Sequence, residues 1–273
     1  MLTQDEKAHA FRALHAGAEA FIIPNPWDVG SARLLAHLGF QALATTSAGF
    51  AFSLGRTDGA VSRDQVMTHI AALAAATDLP ISADLENCFG HAPDVAAETI
   101  TLAAAAGAVG GSIEDATGQP DQPIYEFAAA VDRVRAAAQA ALALPFPFTL
   151  TARCENYLVG RADIADTIRR LQAYQDAGAD VLYAPGLATQ EDITSVVRSV
   201  DRPVNVLMGL QGVQLSRADL SELGVSRISV GGSLARTALG ALLRAGREMR
   251  NEGTFTFAQQ AAGFRGISEI FSN

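Results

Sequence analysis

Eight short apolar runs recur along the chain, each followed by a stretch of helical character, and this alternation restricts the fold more than any other feature. The runs are AFIIP (from Ala20), FQALATTS (from Phe40), ISAD (from Ile81), GGSIED (from Gly110), FTLTARCE (from Phe148), DVLYAP (from Asp180), PVNVL (from Pro203) and RISV (from Arg227). None alternates strictly between apolar and polar residues, so each reads as a strand covered on both faces, the pattern of a parallel sheet. A first helix is expected over 4–16. Asp28 is placed to cap a second helix that Gly39 ends, and Ser62 with Gln65 forms a capping box for a third. Further helices are expected near 93–106, 124–142, 163–177, 189–200, 216–223 and 233–250. Eight strand–helix units spaced by about 25–35 residues are what a (β/α)8 TIM barrel requires. The rival is an open doubly wound sheet, but no GxGxxG follows the first strand and eight regular units close naturally.

The barrel is expected to occupy residues 1–250, with 251–273 as a C-terminal helical extension. Phe255, Phe257, Phe264, Ile267, Ile270 and Phe271 make that extension more apolar than a free tail should be. Packing on a neighbouring subunit and folding back on its own barrel both account for it. At 273 residues and 49% hydrophobic composition, nothing forces a second domain. The formal charge of −9 gives no broad cationic surface, so neither nucleic acid nor an anionic membrane is expected as a partner. Cys88 and Cys154 are the only cysteines, with no CxxC and no secretory leader pattern, which points to a reduced, cytoplasmic setting. No stretch offers the roughly 20 strongly apolar residues of a membrane span. Lys7 is the only lysine and lies in the lead-in to the barrel, which argues against Schiff-base or pyridoxal phosphate chemistry.

In a barrel the catalytic groups sit at the C-terminal ends of the strands. Polar residues stand there in this chain: Thr46 and Ser47 after strand two, Asp84 and Glu86 after three, Glu114 after four, Arg153 and Glu155 at five, Asn205 in seven. Asp84 and Glu86, two apart, emerge on the same side and repel each other unless a cation lies between them. Hard oxygen ligands of this kind suit Mg²⁺ or Mn²⁺; ion pairing with barrel arginines is the alternative. The Gly-rich segment 48–62 has the length of a functional loop. Cys88 and Cys154 read as packing residues, His91 as a loop histidine open to acid–base work, and His9, His15, His37 and His69 as surface residues of helices. Gly231, Gly232 and Ser233 could cradle an anion or only permit close packing.

Six pieces in order, NPWDVGSARLLAHLGF, TTSAGFAFSLGRTDG, ADLEN, SIED, TARCEN and PVNVL, resemble the isocitrate lyase and phosphoenolpyruvate mutase superfamily across nearly the full length. The resemblance implies a barrel of the phosphoenolpyruvate mutase type with an Mg²⁺ or Mn²⁺ site. In that site Asp84 is the direct ligand, and Glu86, Glu114 and Asp58 reach the ion mainly through water. It further implies that Arg153 clamps the carboxylate of a small 2-oxo or 2-hydroxy acid, with Thr46, Ser47, Ala48 and Asn205 as further substrate contacts and Arg153, Asp58 and Glu114 as catalytic residues. The implied reaction is carbon–carbon cleavage or decarboxylation of a methylisocitrate, isocitrate, dimethylmalate or oxaloacetate type acid through a metal-stabilised enolate, in a homotetramer or dimer of dimers. Carbon–phosphorus chemistry on phosphonopyruvate, or a catalytically weak 2-oxo acid binding protein, are the alternatives.

The chain departs from the lyase pattern in three places. ATGQPDQPIYE stands where those lyases carry a Lys-Lys-Cys-Gly type loop, Pro185 and Gly186 stand where they have a glutamate, and Phe89 stands where they commonly have a tyrosine.

Overall fold

The computed structural model describes residues 2–210 and 214–272. Eight strands form one parallel sheet: β1 (Phe21–Ile23), β2 (Leu43–Ala44), β3 (Ile81–Asp84), β4 (Gly110–Glu114), β5 (Thr149–Arg153), β6 (Val181–Tyr183), β7 (Val204–Leu207) and β8 (Arg227–Ser229). Their spatial order, β1-β8-β7-β6-β5-β4-β3-β2, runs once around a cylinder. At the seam between β1 and β2 the Ala44 N–H donates to the Pro24 carbonyl at 3.1 Å. Asn25 clasps the same place, donating to the Thr45 carbonyl at 2.9 Å and accepting from the Val230 and Gly231 amides, each at 2.9 Å. The expected (β/α)8 barrel is therefore the fold.

The helices are α1 (Gln4–Leu14), α2 (Val29–His37), α3 (Ser47–Ser53), α4 (Arg63–Ala76), α5 (Pro93–Ala105), α6 (Phe127–Leu142), α7 (Ile164–Asp176), α8 (Gln190–Ser199), α9 (Arg217–Glu222), α10 (Ser233–Asn251) and α11 (Phe264–Ser272). Asp28 and Ser62 cap α2 and α4 with reciprocal bonds to Ser31 and Gln65, as their sequence positions predict. The Gly-rich segment 48–62 is not all loop. Its first part is α3, started by Thr46, whose hydroxyl accepts from the Gly49 amide at 3.2 Å. Helix α1 plugs the N-terminal end of the barrel, with Phe11 fully buried against Phe21, Ile23 and Val109. Gly110 opens β4 where a Cβ would come within 2.7 Å of the Phe11 ring, so glycine lets the plug seat.

Of the histidines expected at the surface, His69 is buried and His15 half-buried. His15 lies edge-on between Phe11 and Phe21, and burial, reinforced by nearby Arg227, drives its imidazole down to about 3. His69 stacks on Phe50 with ring centroids 3.9 Å apart, and burial lowers it to about 4. In both cases an aromatic ring from another element, Phe21 for His15 and Phe50 for His69, claims the imidazole, which helix periodicity cannot report. Lys7 is buried away from the strand ends, donating to the Thr77 carbonyl at 2.9 Å.

The C-terminal segment folds partly back: α11 lies against α2, with the Arg33 guanidinium 5.7 Å from the Phe271 ring centroid. Phe264 nevertheless remains 89% exposed, and α10 leaves Leu242 and Leu243 at 66% and 57%. Among the described residues, no helix is long and apolar enough to cross a membrane.

Candidate active site

Asp84 ends β3, and the chain then turns sharply through Leu85–Gly90. Glu86, Cys88 and Phe89 take positive φ of 49°, 62° and 60°, a conformation that costs non-glycine residues of order 1–3 kcal/mol each. Surrounding bonds over-determine the turn. Arg133 from α6 donates to the carbonyls of Asn87 and Gly90, Thr99 donates to that of Cys88, and the Glu114 amide donates to that of Glu86 at 3.0 Å. The last bond fixes two acids of the site relative to each other.

The expected strand-end residues converge. Asp84 accepts from the Ser47 amide at 3.0 Å, and its own amide donates to the Thr45 hydroxyl at 2.8 Å. The Arg153 guanidinium lies between the acids, with Nη1 at 3.3 Å from Glu114 and 3.7 Å from Asp84 and Nε bonded to Glu155. Its other face looks onto the Tyr183 ring, 5.2 Å from the centroid. Asp58 closes the solvent edge, within reach of the Ser47 hydroxyl. Three carboxylates thus pair with one guanidinium, and Glu86 and Asp58 add their charge nearby.

That imbalance shows in the proton affinities. Burial, then the charges of Asp84 and Asp58, push Glu86 up to about 7 against the pull of Arg153. Burial raises Glu114 well above the ordinary carboxyl range, Arg153 opposes it, and Glu155, Asp84 and Glu86 add to it. Glu155 is raised by burial and restrained by Arg153. Partial burial of its carboxyl raises Asp58, the Ser47 hydroxyl opposes the shift and the charge of Asp84 adds to it. For Arg153 burial disfavours the charge, but the acids more than offset it and keep the guanidinium firmly protonated.

A cavity of about 1050 Å³ opens above these groups, lined by Ser47, Asp58, Glu86, His91, Glu114 and Arg153 among others. Ala48 lies beside it in the first turn of α3, against Gly232. Asn205 sits lower, inside the barrel, where it donates to Ser229 at 3.0 Å and accepts from buried Arg227 at 2.9 Å. It shares with Asp84, Arg153 and Tyr183 a small internal cavity of about 50 Å³ beneath the clamp.

The donor set fits a small hard cation, because it is all oxygen and carries surplus negative charge in a partly buried site. It is not a closed cage: among the described residues no three His, Cys, Asp or Glu side chains are gathered as a ready metal site. Such a set suits an ion that keeps several of its own waters.

Other expectations resolve plainly. Cys88 is fully buried, and burial pushes its thiol up to about 12, so it is a packing residue, as is buried Cys154. The Gly231 amide is already bonded to Asn25. Glu155, legible in the sequence only as a strand-end acid that Arg153 could neutralise, holds that guanidinium through Nε. Nothing in the sequence pointed to Tyr183 or to Arg133 as supports.

Fold and site together define a barrel enzyme with an acid cluster and an arginine clamp at the C-terminal strand ends. The family model for phosphoenolpyruvate phosphomutase matches residues 11–250, and the chain belongs to that family and, with it, to the isocitrate lyase/phosphoenolpyruvate mutase superfamily of lyases and mutases. It is 64% identical, with a TM-score of 0.97, to a crystal structure from Burkholderia cenocepacia J2315 described only by class, as a lyase or mutase; the match covers 99% of this chain and 97% of that one. It is 28% identical to a probable 2-methylisocitrate lyase of Corynebacterium glutamicum, over 92% of this chain and 83% of the relative. It is 26% identical to an oxaloacetate decarboxylase of Chromohalobacter salexigens, over 85% and 81%.

Proposed function

We propose that the protein is an Mg²⁺- or Mn²⁺-dependent carbon–carbon lyase or decarboxylase acting on a small 2-hydroxy or 2-oxo di- or tricarboxylic acid. Substrates of the methylisocitrate, isocitrate, dimethylmalate or oxaloacetate type suit the site, and the relatives named as lyase and decarboxylase support the same range. The observation that carries the reading is the single guanidinium of Arg153 held among Asp84, Glu114 and Glu155 at the mouth of the barrel. Asp84, Glu86, Glu114 and Asp58 are the residues that would hold the cation. When bound, the cation supplies Lewis-acid stabilisation for the enolate left when a bond beside a carbonyl breaks.

The remaining work belongs to the chain. The Nη1 face of Arg153, whose partners Asp84 and Glu114 are among the residues that would hold the cation, would pair with a substrate carboxylate. Glu155, bonded through Nε, keeps the guanidinium in plane. Ser47 and Thr46, with Ala48 behind them, present backbone and hydroxyl groups to the same space, and Asn205 supports the floor. Residues 1–250 form the catalytic barrel in this reading. The exposed leucines of α10 and phenylalanines of 251–273 supply a contact between copies in a homo-oligomer, and two unpaired buried cysteines suit a cytoplasmic enzyme.

The test is release of a 2-oxo acid from methylisocitrate, isocitrate, dimethylmalate, oxaloacetate and phosphonopyruvate, with Mg²⁺ and with EDTA, in wild type and Asp84→Ala. Metal-dependent product from one carbon acid, lost in the variant, is expected. Turnover of phosphonopyruvate alone would replace the reading with carbon–phosphorus chemistry, and metal-dependent binding of oxalate without turnover would leave a binding protein.

A further inference from the structure

Cleavage of a 2-hydroxy acid needs a group that takes a proton and gives it back, and the acid cluster is committed to Arg153 and to the cation. The other ionisable groups lining the 1050 Å³ cavity are Arg63, paired with Glu98 at 2.7 Å, and His91. No lysine or cysteine lines it among the described residues. His91 is exposed to the cavity yet fixed on every side. Its Nδ1 lies 2.7 Å from the Tyr125 hydroxyl, and the two rings meet edge-on with centroids 5.7 Å apart. Arg133 donates to the carbonyls of Gly90 and Ala92, the two neighbours of His91 in the chain, at 2.7 and 3.5 Å. The same guanidinium lies 4.4 Å above the Tyr125 ring.

The loop after β4 is also tied down. Ala116 and Ile124 form an antiparallel bridge, Thr117 accepts from and donates to its own loop, and Asn87 donates to the Thr117 carbonyl at 3.3 Å. This brings the Gln119 amide nitrogen to 3.3 Å from His91 Nε2.

We infer that His91, held by Tyr125, is the proton carrier of the reaction proposed above, on which this assignment rests. Donation of Nδ1–H to the Tyr125 oxygen leaves the Nε2 lone pair as an acceptor at the cavity wall, held by the Gln119 amide N–H at 3.3 Å until a substrate hydroxyl takes that place. Nε2 takes the proton of the substrate 2-hydroxyl, and the oxygen's electron pair becomes the carbonyl bond of the 2-oxo acid. The adjacent carbon–carbon bond breaks, and its electron pair stays on the α-carbon of the departing acid. The imidazolium then returns the same proton to that carbon and is neutral again, so no further reactant is consumed. Tyr125 and Arg133 act through His91 and are positioning residues.

The test compares wild type, His91→Gln, His91→Ala and Tyr125→Phe with Mg²⁺ on the acid that the wild type cleaves, and follows the His91 ring nitrogens by ¹⁵N NMR, assigned with the Gln variant. General acid–base catalysis contributes roughly 100-fold or more. The expected result is therefore a fall in kcat of about that size in both His91 variants with little change in KM, and partial rescue of His91→Ala by added imidazole. Oxalate with Mg²⁺ should shift the His91 ring signals of the wild type. Wild-type kcat in folded His91→Gln, with only a lower Tm, would make His91 a strut for the loop and overturn the assignment alone. No turnover of any carbon acid by the wild type would overturn the proposed reaction and this assignment with it.

Discussion

Glu86 is the acid whose environment most openly asks for a cation, and its removal gives a stability signal with a defined pH window. Its carboxyl is raised from an ordinary 4.5 to about 7. The folded state therefore binds this proton more tightly than the unfolded state, and stability falls as pH rises from about 4.5 through 7. At 1.36 kcal/mol per pH unit the ionised folded protein carries a penalty of about 3 kcal/mol above pH 7 that is absent below 4.5. Glutamine keeps the shape and removes the charge. Glu86→Gln is expected to match wild type near pH 4.5 and to exceed it by about 2–3 kcal/mol at pH 8, without divalent metal. Urea denaturation of both proteins across that range, in EDTA, measures the difference directly. Added Mg²⁺ should narrow the gap, because an ion at 100 times its Kd stabilises the folded state by about 2.7 kcal/mol and the variant binds it less well. A gain that is equal at pH 4.5 and pH 8, or absent at both, would refute the argument that Glu86 sits in a site with uncompensated charge.

Arg153→Met should destabilise the metal-free protein by about 3–5 kcal/mol, since Glu114, Glu155 and Asp84 lose their shared partner, and Mg²⁺ should recover part of the lost Tm. Cys88→Ala should lower stability by about 1 kcal/mol for the small void it leaves and keep kcat unchanged, as steady-state assays beside a melt will show. Tyr174→Phe removes the hydroxyl that donates to buried Asp115 at 2.5 Å, and a loss of about 1–3 kcal/mol in urea denaturation is expected. The exposed leucines of α10 predict that Leu242→Arg shifts the mass seen by analytical ultracentrifugation toward monomer.

The strands and the positions of the acids were legible because both depend on local order. A parallel strand buried on both faces needs an apolar run, and the polar residue that ends it falls at the barrel mouth whatever else the chain does. Asp84, Glu86, Glu114 and Arg153 were placed at the barrel mouth in this way, and the caps at Asp28 and Ser62 were legible too. What was not legible depends on contacts between distant segments. His15 and His69 are covered by rings from other elements, Phe21 and Phe50, and α3 forms within a Gly-rich segment because Thr46 caps it over Asp84. The support of Glu155 by Asp115, whose carboxylate accepts from the Glu155 amide at 2.7 Å, joins residues 40 apart in sequence. The fate of the tail, part docked on α2 and part bare, depends on surfaces that only the assembled barrel creates.

The clasp at Asn25 carries a kinetic consequence. Its amide joins residues near the start of the chain to amides 205 and 206 positions later, so the barrel cannot be sealed until β8 has been synthesised. Until then a nascent chain holds an open sheet whose β1 edge has no β8 partner, and closing the ring joins its two most sequence-distant strands, the slowest kind of contact to form. On the ribosome this exposed edge is the molecule's most vulnerable state, the interval in which chaperone capture or aggregation competes with completion of the fold.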